Sequence, residues 1–122
     1  RGNLKATLLD QHVLAGIGNI YADEIMHRAK LRWSRVPSSL SMRTLERLHE
    51  AIVHVLTKAV EAGGSTLDDT QYVDIDGEQG WFQTEHRVYG RAGEVCLTCK
   101  KARISRTVVA GRTTCYCAHC QH

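Results

Sequence analysis

The sequence predicts a mainly α-helical chain that ends in a small β-hairpin lobe. Apolar residues recur at three- and four-residue steps in several segments of the first 61 residues, which is the spacing of amphipathic helices. Short β-prone runs follow near the end, on either side of a glycine turn at residues 110–112. All five cysteines also lie in this last stretch, which is typical of a small lobe held by a metal or by disulfides.

Two helices are predicted on either side of a glycine-rich break. Residues 3–11 form the first helix, with Lys5 on its polar face. Its expected buried side chains are Leu4, Leu8 and Leu9. The break at residues 15–19 contains two glycines, which favour turns, and a second helix follows over residues 20–29. Its expected buried side chains are Ile20, Ile25 and Met26.

The longest predicted helix begins after Ser41, whose hydroxyl is suited to capping a helix start, and ends at Gly63-Gly64. Residues 30–40 form an irregular connection before it, around Pro37. The pattern favours a scaffold role for this helix. Its apolar stripe consists of Leu45, Leu48, Ile52, Val55, Leu56, Ala59 and Val60.

The last third of the chain predicts a loop and then β-structure. Residues 65–85 are loop-like. Short β-prone runs follow at residues 87–89, 104–109 and 113–116. We interpret the last two runs as a β-hairpin across the turn at residues 110–112.

Four of the five cysteines form two Cys-x-x-Cys knuckles. Cys96 and Cys99 make the first knuckle, Cys117 and Cys120 make the second, and 17 residues separate them. A two-residue spacer lets both thiolates of a knuckle reach one ion, and two knuckles complete a closed tetrahedron. The sequence therefore predicts one structural zinc ion, in a chain from a reducing compartment.

Three further side chains compete as ligands, namely Cys115, His119 and His122. Cys115 would make a cramped Cys-x-Cys pair with Cys117. The set of four knuckle cysteines is therefore preferred.

The net charge of +3 is unevenly distributed along the chain. Residues 1–61 carry nine Lys/Arg and six Asp/Glu, residues 62–85 carry six acids and no Lys/Arg, and residues 86–122 carry seven Lys/Arg and one Glu. Two basic lobes around an acidic connector are suited to bind a polyanion at both ends. On charge alone, a solvated surface that binds no partner is an equal alternative. The sequence has no run of about 18 apolar residues, so no membrane span is predicted.

Two positions are suited to contact a phosphate backbone. Asn19 follows two glycines at a predicted helix start, where N–H groups attract anions. From spacing alone the stronger interpretation is that Asn19 caps its own helix. Arg112 lies at the predicted hairpin tip, where a guanidinium fork matches a phosphate, and a solvated turn arginine is an equal alternative.

Together these residues resemble the C-terminal half of the bacterial formamidopyrimidine-DNA glycosylase and endonuclease VIII family, over nearly the whole chain. The matching segments are LLDQ at 8–11, AGIGNIYADE at 15–24, GGST at 63–66, YVDIDG at 72–77, VYGRAGE at 88–94 and the two knuckles. The resemblance implies a helix–two-turns–helix bundle over residues 1–64, a connecting segment like the family's lesion loop over 65–85, and a zinc finger over 86–122. Two departures from the family pattern are one additional residue between the knuckles and the additional thiol of Cys115, which leave the hairpin register open.

The resemblance also implies a partner and a set of contacts. In the family this module holds duplex DNA at a damaged base, so the expected partner is double-stranded DNA that is damaged or abasic. Asn19, Tyr89 and Arg112 are expected to contact phosphates, with Lys5 as a further candidate. The expected setting is base-excision repair by a monomer in the bacterial cytoplasm, at the nucleoid.

The family's chemistry comes from an N-terminal proline amine and an adjacent glutamate, both in a preceding domain. Here Pro37 is the one proline and is an internal tertiary amide, and Arg1 has no acidic neighbour, so we identify no catalytic residue. We therefore expect the DNA-binding half of a glycosylase and abasic-site lyase that lacks the catalytic domain and is inactive alone. The alternatives are a stand-alone, non-catalytic zinc-finger DNA-binding protein derived from the family, and a zinc ribbon that binds protein.

Overall fold

The computed structural model describes residues 2–10, 18–61 and 86–122. Within them lie three helices, α1 (Leu4–Leu9), α2 (Asn19–Ala29) and α3 (Met42–Glu61), and two antiparallel strands, β1 (Ser105–Val109) and β2 (Arg112–Tyr116). The predicted helical bundle followed by a β-hairpin is confirmed. Residues 15–17 of the glycine-rich break, the Gly63-Gly64 cap and the loop at 65–85 lie outside the described residues, so these predictions and the domain boundaries drawn from them stay predictions.

Helix α1 begins after Asn3, whose side-chain Oδ1 accepts the backbone N–H of Ala6 at 2.8 Å. Leu4 and Leu8 are buried, as predicted. The predicted exposure of Lys5 is wrong, because its side chain has no exposed area. The physical reason is tertiary: α1 packs on α2, and the Lys5 side of the helix faces β2.

Helix α2 is the centre of the molecule and contacts α1, α3 and β2. Eight of its eleven residues are buried. Gly18 occupies the N-cap position and Asn19 is already helical, so the capping role that spacing favoured for Asn19 is wrong. The helix ends at Ala29, where Lys30 adopts a left-handed φ of +63°. Because α2 is covered on most sides, its buried positions include charged side chains as well as apolar ones.

Helix α3 starts where the sequence predicts. The Ser41 hydroxyl accepts the backbone N–H of Thr44 at 3.1 Å, which is the expected cap, and the irregular connection before it contains a 3₁₀ turn at Pro37–Ser39. Leu45 and Val60, two members of the predicted apolar stripe, are exposed. Only one side of α3 packs on α2, so the outer members of the apolar stripe reach solvent. The side chains that α3 buries are Leu48, Ala51, Val55 and Ala59.

One apolar core joins the three helices. Ile25 and Met26 of α2 lie fully inside it, as predicted, whereas Ile20 is half-buried at its edge. Within the described ranges, no helix is long and apolar enough to cross a membrane.

The β-hairpin closes with a two-residue turn. Strands β1 and β2 pair from Ser105 opposite Tyr116 to Val109 opposite Arg112. Ala110 and Gly111 have φ values of +55° and +76°, the backbone signs of a type I′ turn. Arg112 is therefore the first residue of β2 and does not belong to the turn, which corrects the predicted hairpin boundary.

We call residues 86–122 the finger. Its buried cluster is separate from the helical core and consists of Val88, Cys96, Ile104, Cys115 and Cys117. Three of these five side chains are cysteines, so the finger buries little hydrocarbon of its own. A lobe this small depends on additional cross-links for stability.

Candidate metal centre and nucleic-acid interface

The four knuckle cysteines converge on one point. Their Sγ atoms all lie within 4.8 Å of one another, and the pairs Cys96–Cys120 and Cys99–Cys117 are each 3.8 Å apart. A tetrahedral zinc site with Zn–S bonds of about 2.3 Å has sulfur–sulfur edges of about 3.8 Å. The four sulfurs can therefore hold a metal ion of this size.

Backbone N–H groups support the sulfurs from outside. Thr98 donates to Cys96 Sγ, Lys101 to Cys99 Sγ and Cys120 to Cys117 Sγ, each at 3.4 Å. The donors at Lys101 and Ala102 lower the pKa of Cys99 to about 6. Metal binding requires thiolates, so these bonds favour the binding form.

The pKa of Cys120 shifts the other way. Burial and the three neighbouring sulfurs raise it, as expected where several acidic groups share a small space. A divalent cation at the centre favours the thiolate form of all four groups. The competing ligands Cys115, His119 and His122 do not belong to this cluster in the described part of the chain.

Helix α2 holds the start of the finger through one carboxylate. Glu24 Oε1 accepts the backbone N–H of Arg87 at 2.9 Å, and Oε2 accepts those of Val88 and Tyr89 at 3.0 and 2.8 Å. The prediction of a β-strand over residues 87–89 is wrong, because these three N–H groups converge on Glu24 instead of forming a ladder. Burial raises the pKa of Glu24, and the three N–H groups act in the opposite direction.

A second α2 side chain contacts the first knuckle and the residue that follows the second knuckle. His27 Nε2 lies 3.0 Å from the Thr98 hydroxyl in the first knuckle, and Nδ1 lies 3.2 Å from Gln121 Oε1. The same Gln121 oxygen accepts the backbone N–H of Cys117 at 2.8 Å, so it is an acceptor and His27 Nδ1 is the donor. Burial lowers the pKa of His27, which favours this neutral form.

A buried ion pair between α1 and α2 also contacts the finger. Lys5 Nζ lies 2.7 Å from Asp23 Oδ1, and neither side chain has exposed area. Asp23 Oδ2 accepts the backbone N–H of Cys115 at 3.0 Å. Burial lowers the pKa of Lys5 and raises that of Asp23, and the attraction between the two charges opposes both shifts.

The four predicted DNA-contacting residues all lie near Thr113, beside the hairpin turn. Asn19 Nδ2 and Lys5 Nζ both donate to the Thr113 carbonyl oxygen, at 3.1 and 3.0 Å. Arg112 precedes Thr113 and is exposed. Tyr89 and Thr113 line the same cavity of about 310 Å³, which also contacts Arg106 and Cys115. Lys5 differs from the other three in that its side chain is fully buried.

Sequence reasoning missed the polar residues that join the two lobes. Asp23, Glu24 and His27 lie within one helical turn, and on periodicity alone such residues are assigned to a solvated face. The available signal was their position beside Ile25 and Met26, which places charged groups on the buried side of the helix. Charged residues are seldom fully buried unless they are paired, so this position indicates specific partners.

Comparison with known proteins identifies relatives of this chain. A model of the formamidopyrimidine-DNA glycosylase H2TH domain matches residues 1–71. Formamidopyrimidine-DNA glycosylase from Thermus thermophilus is 52% identical over 118 residues, which are 97% of this chain and 44% of the relative. This chain thus spans less than half the length of that protein.

Solved structures give the same result for the fold. The MutM (Fpg) protein of Thermus thermophilus superposes with a TM-score of 0.86 at 51% identity, over 98% of this chain and 45% of that one. Lactococcus lactis Fpg, solved in a complex with DNA that contains an abasic site, superposes with a TM-score of 0.84 at 37% identity, over 99% of this chain and 42% of that one.

Proposed function

The chain belongs to the formamidopyrimidine-DNA glycosylase family, and on that premise we propose that it grips damaged or abasic duplex DNA in base-excision repair. Complexes of the Lactococcus lactis relative with abasic-site DNA and with FAPY-dG DNA support the proposal. The observation that carries it is the hydrogen bond from the Asn19 side chain to the carbonyl of Thr113, the residue that follows Arg112 in the hairpin. This bond joins a residue of the helical lobe to the strand that carries Arg112.

We assign the phosphate contacts to Asn19, Tyr89 and Arg112. The Asn19 amide has two N–H donors and uses one on Thr113, so the second is suited to a phosphate oxygen. The guanidinium of Arg112 matches a phosphate with two parallel donors, and the finger carries seven Lys/Arg against one acid. Such a surface gives strong, salt-dependent affinity for nucleic acid.

The proposed ion is zinc, held by Cys96, Cys99, Cys117 and Cys120. Four thiolates within 4.8 Å of one another, with two of the sulfur pairs 3.8 Å apart, fit a closed tetrahedral zinc site without a position for water. Bound zinc supplies folding free energy and no chemistry of its own here. His27 and Gln121 connect the metal site to α2, because one Gln121 oxygen accepts both the backbone N–H of Cys117 and the His27 ring N–H.

We assign DNA binding and metal binding to the residues named above, and we assign them no step of the family's chemistry. Pro37 is the one proline in the sequence, and its ring nitrogen is part of an internal amide, so it has no amine to attack a sugar. The proposed species is a monomer at the bacterial nucleoid.

The test is a fluorescence-anisotropy titration at fixed salt, with a duplex that carries one abasic analogue and a matched undamaged duplex. We expect binding to both, with the tighter dissociation constant for the abasic duplex. Equal affinity for the two duplexes would remove the lesion preference from the proposal. No affinity for either duplex in dilute buffer would favour the zinc ribbon that binds protein.

A further inference from the structure

We infer that the buried Lys5–Asp23 pair is a positioning device for the DNA site, one that fixes where Arg112 lies relative to Asn19 without touching the DNA itself. The inference rests on the proposed function. It gives Lys5 a role that differs from a direct phosphate contact.

The surroundings of Lys5 exclude a direct contact in this arrangement. Three groups surround its ammonium: Asp23 Oδ1 at 2.7 Å, Thr114 Oγ1 at 2.7 Å and the Thr113 carbonyl at 3.0 Å. Two of these contacts are hydrogen bonds that the ammonium donates and the third is an ion pair, so buried oxygen atoms surround its charge. With no exposed area, Lys5 also offers a phosphate no surface to approach.

A chain of polar contacts leads from α2 to the backbone of Arg112. Lys5 donates to the Thr114 hydroxyl, and that hydroxyl donates to the Arg112 carbonyl at 3.2 Å. The other oxygen of Asp23 accepts the N–H of Cys115, two residues beyond Thr113 on the same strand. One buried pair therefore holds β2 at several consecutive positions, from Arg112 to Cys115.

Asn19 is coupled to the same point. Its amide donates to the Thr113 carbonyl that also accepts from Lys5. The two proposed phosphate contacts thus share one backbone carbonyl as their common reference. A shift of β2 along or away from α2 would change the distance between Asn19 and Arg112.

Stability alone does not account for this pair. Burying two charges carries a desolvation penalty that their attraction only partly offsets, and an apolar pair of similar size is often equally stable or more so. An apolar pair, however, lacks the directional bonds to Thr113, Thr114 and Cys115. The structure assigns the pair a geometric role on these grounds.

The main test replaces both partners, in the variant Lys5→Met/Asp23→Leu. We expect retained helical signal and full metal content, with the dissociation constant for an abasic duplex raised about tenfold, as for a coupling of about 1.4 kcal/mol. In an Arg112→Ala background the same double replacement should have little further effect, because it acts through Arg112. The log–log salt slope should fall by about 0.9, the loss of one phosphate contact.

A surface variant serves as the control for this test. Glu50→Gln removes the exposed ion pair with Arg28 and should leave affinity unchanged. Unchanged affinity in the double variant would overturn the inference, as would a loss that persists in full in the Arg112→Ala background. If the double variant fails to fold, Thr114→Val decides, since it removes only the linking hydroxyl: weaker binding supports the inference and wild-type binding overturns it. Absence of DNA binding by the wild-type chain is a different result and would refute the proposed function.

Discussion

Asn19 and Thr113 are 94 positions apart in sequence, and a hydrogen bond of 3.1 Å from the Asn19 amide to the Thr113 carbonyl joins them. The bond connects the first residue of α2 to the second residue of β2. It brings a helix start into contact with a hairpin, although the two lobes have separate apolar cores. The proposed interface is therefore a product of polar contacts between lobes, and most of the following predictions test such contacts.

Asn19→Ala and Arg112→Ala should each weaken binding to an abasic duplex about tenfold or more, since each removes donors to a phosphate. Metal content and the helical circular dichroism signal should not change. Lys58→Ala, on the exposed side of α3, removes the same charge as Arg112→Ala far from the hairpin and serves as the control. If all three variants bound as the wild-type chain does, the assignment of the contacts would be wrong.

Glu24→Gln should lower the free energy of unfolding by about 1–3 kcal/mol, the usual loss when buried donors lose their acceptor. A carboxylate accepts the N–H groups of Arg87, Val88 and Tyr89 with two oxygens, whereas an amide offers one oxygen and directs N–H groups at the remaining donor. Denaturant unfolding measures the change. Glu50→Gln is the exposed counterpart, and an equal loss in both variants would contradict the role of Glu24.

Two substitutions in the hairpin turn should change the free energy of unfolding in opposite directions. Ala110 has a left-handed φ of +55°, which Asn tolerates better than Ala, so Ala110→Asn should raise the free energy of unfolding by up to about 1 kcal/mol. Gly111→Ala should lower it by about 1–2 kcal/mol. The added Cβ at Gly111 meets no atom within 4 Å, so this loss comes from the backbone alone. Thermal melts that shift both variants in the same direction would rule out the type I′ turn.

The free energy of unfolding should fall as the pH is lowered, and protonation of His27 should account for part of this loss. Burial lowers its pKa in the folded state, so between its ordinary value near 6.5 and its lower folded value the unfolded chain binds the proton more readily. The stability that neutral His27 provides is present above about pH 6.5 and is lost as the pH falls below it. One proton contributes a slope of at most about 1.4 kcal/mol per pH unit.

The measurement compares wild type with His27→Gln from about pH 7.5 to about pH 5.5 at saturating zinc. The variant should be less stable at the higher pH and should lose less stability on acidification. The exposed His49→Gln is the control and should follow the wild-type curve. A variant with the full wild-type pH dependence would show that His27 does not contribute.

Local features of the sequence predicted much of the fold. The knuckles depend on a two-residue spacer, and the Ser41 cap depends on a residue three positions away, so both could be recognised without knowledge of the tertiary structure. The exposure of Leu45 and Val60 could not be predicted in this way, because the apolar stripe of α3 is wider than the surface that α3 covers on α2.

The candidate site was predictable only in part. Asn19, Tyr89 and Arg112 came from motifs, whereas their supports depend on contacts between residues 60 to 110 positions apart. Lys5 was assigned to a polar face because its partners Asp23 and Thr114 are distant in sequence. The β-propensity of residues 87–89 was overridden by Glu24 for the same reason, since a tertiary acceptor took the N–H groups that a strand would use.

The most direct measurement is the salt dependence of duplex affinity before and after removal of the metal, with metal content assayed in the same samples. The metal-loaded chain should show log dissociation constants that rise linearly with log salt, by about 0.9 for each phosphate neutralised. Chelation should remove the finger's contribution, so affinity and slope should both fall while the helical signal of α2 and α3 persists. Equal affinity and slope with and without stoichiometric metal would contradict the claim that a metal-held finger and the start of α2 grip DNA together.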